Sequence, residues 1–329
     1  MSKKLNRILV VDGSYLLHRA LHLPNVFDLK NSKGVRTGGV FQFLRMLVKE
    51  VREITDCFPV VVFDMGLARR RVELDPEYKK ATERAMQDAM VLTPEESDID
   101  YVTQYRKQRT LLSIILPSMG IPVIKFAAWE GDDLMYLLSR MAEKSVILTD
   151  DRDMLQLLSD KCDVKRPMKE QYYTLASFLE ETGYNGVHDF IIQKAIVGDS
   201  SDNIKSSVKG VGDGTVGDMV KLIRSCRTKD FPTEEQGLRA LCESAGVKYR
   251  KAYLNWDKNR FMINLQLVNL YLVKAEPEMY ESMLATIENS EAQADYFNAV
   301  KLLAKLEIKD FSMDDLIAMV KNRRRYLWL

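Results

Sequence analysis

The chain has 329 residues, 46% of them hydrophobic, with 48 basic and 47 acidic side chains and a net charge of +1. This supports a sizeable core and about two domains, and its charge balance does not announce a nucleic-acid binder. The apolar run after Met1-Ser2-Lys3-Lys4 is too short for a secretory signal, and the stretch from Leu111 to Ile124, broken by Pro117 and Gly120, falls short of a membrane span.

In chain order, the first strand-like run is Ile8-Leu9-Val10-Val11, which stops at Asp12. A helix is expected from about 39 to 53. Val60-Val61-Val62-Phe63 is the second run and stops at Asp64. Residues 65–97 are too long and too charged for an ordinary loop. They carry Arg69-Arg70-Arg71, Tyr78-Lys79-Lys80 and Arg84 among acids, and suit either a mobile basic lid or a solvated surface helix. A helix is expected from about 98 to 116, ending at Pro117. Val123-Ile124-Lys125-Phe126 is the third run and leads to Glu130, Asp132 and Asp133, which open a helix with Leu134, Leu137, Leu138 and Met141 as its apolar stripe. Val146-Ile147-Leu148-Thr149 is the fourth and stops at Asp150, Asp151 and Asp153, with Asp151 and Asp153 placed to cap a helix holding Leu155, Leu157 and Leu158.

After about 185 the strand signal fades into short helices. Asp199 and Asp202 lie in Gly198-Asp199-Ser200-Ser201-Asp202-Asn203, compatible with an Asx turn. Strands alternating with helices argue for an α/β fold with a mostly parallel sheet over residues 1–185 and a helical region over 186–329. No internal repeat or low-complexity linker is present.

Short β-branched runs read as buried parallel strands. Ligand crevices lie beyond the carboxyl ends of such strands. The acids at those ends should therefore converge, and crowded carboxylates are costly unless hard cations sit among them. Setting aside Asp12, Asp64, Glu130, Asp132, Asp133, Asp151, Asp153, Asp199 and Asp202 leaves 48 basic residues against 38 of the 47 acidic ones, a balance of +10 able to attract phosphates. Glu130 and Asp133 also point to the side of their helix's apolar stripe. That favours ligation over simple compensation of the helix dipole. Taken singly, the Asp151/Asp153 and Asp199/Asp202 pairs are ordinary turn residues.

Gly212-Asp213-Gly214-Thr215-Val216-Gly217 fits the spacing of a dinucleotide loop, but no strand leads into it. It reads better as a turn presenting backbone N–H groups to a phosphate, flanked by Lys209, Lys221 and Arg224. His18, His22 and His188 form no zinc motif and are expected to be structural or surface residues. Trp129, Trp256 and Trp328 suit core or interface. Cys57, Cys162, Cys226 and Cys242 form no Cys-x-x-Cys pair and read as reduced thiols of a cytosolic protein.

Over roughly residues 7–225 these motifs resemble the flap endonuclease and 5′→3′ exonuclease family, which includes the 5′-nuclease domain of bacterial DNA polymerase I and the replicative 5′-nucleases of bacteriophages. Val10-Val11-Asp12-Gly13 and Val62-Phe63-Asp64 resemble its first two acidic positions. Glu130-Gly131-Asp132-Asp133 resembles its Glu-Ala-Asp-Asp, and Thr149-Asp150-Asp151-Arg152-Asp153-Met154-Leu155-Gln156-Leu157 its Thr-x-Asp-Lys-Asp-Leu-x-Gln-Leu. Gly198 to Ile204, followed by Lys209-Gly210-Val211-Gly212, resembles its last acidic pair and helix-three-turn-helix. Arg71, Tyr78-Lys79 and Thr93-Pro94-Glu95 match the feet of its helical arch. Three departures stand out. Lys205-Ser206-Ser207-Val208 replaces Pro-Gly-Val and is one residue longer; the arch's basic residue is displaced to Arg84; residues beyond about 225 match weakly.

The resemblance implies a PIN-like fold with an arch at about 65–97 and a helix-three-turn-helix at about 198–225. It implies two Mg²⁺ ions (Mn²⁺ as an alternative) roughly 4 Å apart among the nine acids, with K⁺ at the helix-three-turn-helix. Asp12, Asp64, Glu130, Asp132 and Asp133 would serve the first ion, and Asp151, Asp153, Asp199 and Asp202 the second. Lys79 and Arg84 would draw in the scissile phosphate. Arg71, Lys79, Lys209, Gly210, Gly212, Gly214, Lys221 and Arg224 would touch DNA. The implied activity is hydrolysis of DNA or RNA–DNA duplexes at 5′ ends or flaps, during replication or repair, by a cytoplasmic monomer of a bacterium or phage-infected host with no membrane attachment. Arg323 to Leu329, basic then apolar, suits either docking to a sliding clamp or single-strand-binding protein or packing on the chain's own core.

Three other functions fit the pattern less well. A haloacid-dehalogenase-like phosphatase needs an Asp where Ser14 stands. A catalytically silent DNA-junction binder gains nothing from nine acids beside phosphates. A PIN-type ribonuclease would need neither the arch nor the glycine-rich turn.

Overall fold

The computed structural model describes residues 4–88, 93, 96, 99–208, 216–217, 219–220, 255–309 and 311–328. The chain forms two compact units, and neither is one continuous stretch: the first holds 1–67, 82–174 and 273–329, the second 68–81 and 175–272. The division expected near 185 thus falls at 174, and residues 273–329 return to the first unit.

The first unit is built on a six-stranded sheet of order β3-β2-β1-β4-β5-β6. Its strands are β1 (Leu5–Asp12), β2 (Phe58–Val62), β3 (Val123–Ile124), β4 (Ala142–Leu148), β5 (Cys162–Arg166) and β6 (Gln171–Tyr173). All pairings are parallel except β5 with β6. The four expected strands occupy the centre and one edge. The fifth and sixth were not expected.

Helices α1 (Gly13–Leu21), α2 (Gly38–Glu53), α5 (Tyr101–Ser118) and α6 (Gly131–Met141) follow the strands. Between β2 and α5 lie α3 (Arg69–Leu74) and α4 (Lys80–Asp88). The α5 helix does not stop before Pro117 but carries it in its last turn, where a proline interrupts little of the helix. Gly120, at φ 78° in the left-handed region, follows the cap at Met119. The helix expected after Asp151 is a 3₁₀ turn, Arg152–Leu157, capped by Asp151.

The C-terminal helices α10 (Pro277–Glu288), α11 (Tyr296–Lys305) and α12 (Met313–Arg323) complete this unit. Leu316, Val320 and Leu327 are buried. Arg323 donates to the carbonyls of Val51 and Thr55, Asn6 N–H donates to the Leu327 carbonyl at 2.8 Å, and Leu5 pairs with Trp328. The chain's own first strand therefore pairs with Leu327 and Trp328.

The second unit is helical. It holds α3, α7 (Leu175–Thr182), α8 (Val187–Val197) and α9 (Lys258–Val268), closed around a core that includes Ile192, Ile196, Trp256, Phe261 and Leu267. Among the described residues no helix is long and apolar enough to cross a membrane.

Candidate active site

Asp12 ends β1 and caps α1: its Oδ1 accepts from Tyr15 N–H at 2.9 Å. In register, Val11 faces Leu148 of β4, so the next residues, Asp12 and Thr149, stand side by side. The Thr149 hydroxyl donates to Asp12 Oδ2 at 2.8 Å. Asp12 also faces Val62 of β2, which places Asp64 two residues beyond. Asp64 N–H donates to Ser14 Oγ at 2.9 Å, and its side chain receives Gly131 N–H at the start of α6. Arg109 of α5 donates to the Asp64 carbonyl at 2.6 Å. Burial pushes Asp12 up to about 7, and the neighbouring charges of Asp64 and Asp151 add to this against the two donated hydrogen bonds.

Glu130 and Asp133 are buried, as their place on the apolar side of α6 predicts. Asp132 is partly exposed. Asp151 is exposed at the end of β4, where its Oδ1 accepts from Asp153 N–H at 2.8 Å. Asp150 is otherwise occupied: it receives the Tyr15 hydroxyl and Met168 N–H at 2.9 Å.

Among the described residues no three His, Cys, Asp or Glu side chains close into a metal cage. Asp12, Asp64 and Asp151 form a corner in which each accepts from neutral groups. Like charges favour that arrangement. The donor set still fits a hard divalent cation. It is carboxylate oxygen throughout, with a buried member whose proton affinity is raised by burial and then by its like-charged neighbour.

Asp199 and Asp202 belong to the second unit. Their turn is closed by a two-bond bridge between Asp199 and Ile204, N–H to carbonyl at 2.8 and 2.7 Å. Gly198 enters it at φ 78°, and a Cβ there would stand 2.4 Å from the Ile204 carbonyl oxygen, so only glycine fits. Asp199 Oδ2 accepts from Lys194 Nζ at 2.6 Å, and Oδ1 from Ser201 N–H at 2.9 Å. Burial alone would raise the Asp199 carboxyl, but Lys194 and Ser201 outweigh it and hold it at about 2. Lys79, left-handed at φ 47°, donates its N–H to the Asp202 carbonyl at 3.0 Å, and its Nζ stands 3.6 Å from Asp202 Oδ2. The Tyr78 hydroxyl lies 3.4 Å from the same oxygen.

Other expectations fare differently. Arg71 is 3% exposed and donates to the Leu267 carbonyl at 3.0 Å. It braces the second unit. Arg84 is exposed on α4. Lys209, Gly210, Gly212, Gly214, Lys221 and Arg224, with the K⁺ site, lie outside the described residues, as do Pro94, Glu95, Cys226 and Cys242. Cys57 and Cys162 are buried free thiols. His18 and His22 are exposed and stack on each other, with ring centroids 4.3 Å apart; Trp256 is core.

Sequence reasoning missed Ser14, Thr149, Tyr105 and Arg109. Tyr105 bonds to Ser14, and its hydroxyl is pushed up by burial and then by Asp64. Arg109 lies over the Tyr105 ring at 5.7 Å. Thr149 was legible only as part of its motif. Nothing in the spacing marked the other three.

The 5′-3′ exonuclease N-terminal resolvase-like domain family matches residues 7–183. A 5′-3′ exonuclease of Bacillus subtilis (strain 168) is 34% identical over 242 residues, 71% of this chain and 75% of that protein. The thermostable DNA polymerase I of Thermus aquaticus is 28% identical over 291 residues, 87% of this chain and 32% of that longer protein. A structure of the T5 5′-exonuclease with divalent zinc ions bound superposes with a TM-score of 0.59 at 21% identity, covering 97% of this chain and 98% of that one. Flap endonuclease-1 from Methanococcus jannaschii shares the fold at a TM-score of 0.51 and 16% identity, covering 97% and 94%. The chain belongs to the 5′-3′ exonuclease family.

Proposed function

We propose that the protein is a metal-dependent, structure-specific 5′ nuclease that hydrolyses phosphodiesters at the 5′ ends or flaps of DNA and RNA–DNA duplexes. The observation that carries the reading is the Asp12 corner. A carboxyl is buried at the end of a central strand beside Asp64, and its charged form is penalised until a cation arrives. Bound divalent ions, Mg²⁺ or Mn²⁺, would lower the pKa of the attacking water and neutralise charge on the leaving oxygen.

Asp12, Asp64, Glu130, Asp132, Asp133, Asp151 and Asp153 would hold these ions directly or through water. Assigning Asp199 and Asp202 to the same task rests on the likeness of their motif. Lys79 and Arg84 would draw the scissile phosphate in. Contacts to the duplex backbone carry no base information, so selection would be by structure.

The test is incubation with a 5′-labelled flap, a nicked duplex and an RNA-primed template, with and without EDTA, for the wild type and Asp133→Asn. Cleavage should require the divalent ion and vanish in Asp133→Asn while substrate binding persists. An active Asp133→Asn enzyme would refute the metal role.

A further inference from the structure

Helix α9 lies in the part of the chain whose sequence matches the family weakly. Its Asn264 is 0% exposed. One amide nitrogen, Nδ2, donates to two carbonyls: Ala195 at 2.9 Å and Lys205 at 2.8 Å. Ala195 lies in the last turn of α8, where carbonyls lack helical partners. Lys205 directly follows Ile204, which closes the bridge to Asp199. The two acceptors therefore stand on either side of the turn that carries Asp199 and Asp202.

The same helix seats the segment that carries Lys79. The Leu267 carbonyl accepts from Arg71 at 3.0 Å, the Gln266 carbonyl from Arg70 at 3.2 Å, and Arg260 pairs with Asp75 at 2.5 Å. Asn203 in turn donates to the Glu77 carbonyl at 2.8 Å. An apolar side chain would fill the space around residue 264 without the cost of burying an amide. The amide offsets that cost through Nδ2 alone, since its buried Oδ1 has no hydrogen-bond partner among the described residues.

We infer that Asn264 is a positioning residue, whose amide clamps both ends of the 198–205 turn and so fixes where Asp199 and Asp202 are held. This rests on reading those two acids as metal ligands. Ser207 N–H, bonded to the Ile196 carbonyl at 2.9 Å, keeps the following segment attached. Loss of the Asn264 amide should therefore loosen the turn rather than unfold the unit.

The test uses full-length, DNA-free protein: wild type, Asn264→Ala, the milder Asn264→Ser, and Val268→Ala as a core variant of the same helix. Deuterium exchange reports the Asp199 and Ile204 amides, and electron paramagnetic resonance reports bound Mn²⁺. In Asn264→Ala the two amides should exchange at least about tenfold faster. Mn²⁺ affinity should fall about tenfold, as when a group that orients a ligand is lost. Asn264→Ser, which keeps one donor, should fall between, and Val268→Ala should change neither even where it lowers the melting temperature more.

Equal effects in Asn264→Ala and Val268→Ala, or unchanged exchange in both Asn264 variants, would overturn the inference. A further variant separates the two readings. If Asp199→Asn with Asp202→Asn weakens Mn²⁺ binding and Asn264→Ala does not, only the positioning role fails. If the paired substitution leaves Mn²⁺ binding unchanged, the metal reading of the turn fails first and takes the positioning role with it.

Discussion

The Asp12 corner of the first unit and the Asp199–Asp202 turn of the second hold carboxylates by opposite means. At Asp12, burial and the like charge of Asp64 dominate, and the partners are neutral: a backbone N–H and the Thr149 hydroxyl. At Asp199 and Asp202 each carboxylate has a lysine, Lys194 at 2.6 Å and Lys79 at 3.6 Å. The first carboxyl is therefore pushed up to about 7 and the second held at about 2. Proximity in sequence to Gly, Ser or Asp predicts neither value. Burial pushes both carboxyls up; at Asp12 the like charge of Asp64 adds to it, while at Asp199 Lys194 and Ser201 outweigh it. One acid stores a demand for a cation, and the other already has one supplied by the chain.

Asp12→Asn probes the first half of that comparison and carries the largest expected effect. The folded protein binds a proton at Asp12 that the unfolded chain, with its ordinary value of 3.8, releases. Without divalent ions, stability should therefore fall as pH climbs from about 4 to 7, and the full cost should stand above 7. A rise of three units corresponds to about 4 kcal/mol as an upper figure. Asparagine escapes that cost and keeps an acceptor for Tyr15. Calorimetry in EDTA should show the variant melting above the wild type at pH 8, with the gap closing toward pH 4, although cleavage is abolished. A variant no more stable than wild type at pH 8 would mean that Asp12 is not penalised.

Lys194→Met probes the other half. The depressed Asp199 contributes stability that is present above 3.8 and lost as pH falls through about 2. Removing the lysine leaves a half-buried carboxylate without its closest cation, at a cost of about 2 kcal/mol at pH 7. Urea unfolding at pH 7 and pH 3 measures it, and the loss should be smaller at the lower pH. The sign is opposite to that at Asp12: here the substitution destabilises, and acid reduces the difference.

Legibility in the sequence follows the same physics. The first four strands were visible because a buried parallel strand has no polar face to dilute its apolar run. β5 was not, because Lys165 is carried inside it by Glu50 at 2.6 Å and by Glu53, so a charged residue sits in a strand. The acids of the first corner were legible as strand ends, whereas Ser14 and Thr149, which hold Asp64 and Asp12, carry no charge and give no pattern. The bracing contact of Arg71 was not legible because a basic residue in a basic run looks like a phosphate contact; only burial against Leu267 reveals it. Asn264 was invisible for a related reason. Its role lies in two backbone carbonyls distant in sequence, and no side-chain spacing encodes them.

The smallest expected effect separates position from charge at the first corner. A Cβ at Gly131 would lie 3.1 Å from Asp64 Oδ1 and 3.4 Å from its Cγ and Oδ2, close enough to displace the carboxylate by a few tenths of an ångström without removing any charge. Gly131 opens α6, where alanine costs the helix nothing and is favoured by up to about 1 kcal/mol over glycine. Gly131→Ala should therefore leave the melting temperature unchanged or slightly raised, and raise the Mg²⁺ concentration for half-maximal cleavage by about threefold, as a small misplacement of an oriented ligand does. A titration of cleavage rate against Mg²⁺ measures it. An unchanged midpoint would show that Asp64 acts through its charge on Asp12 alone. A shifted midpoint at full stability would show that the first corner, like the turn in the second unit, depends on where its carboxylates are held.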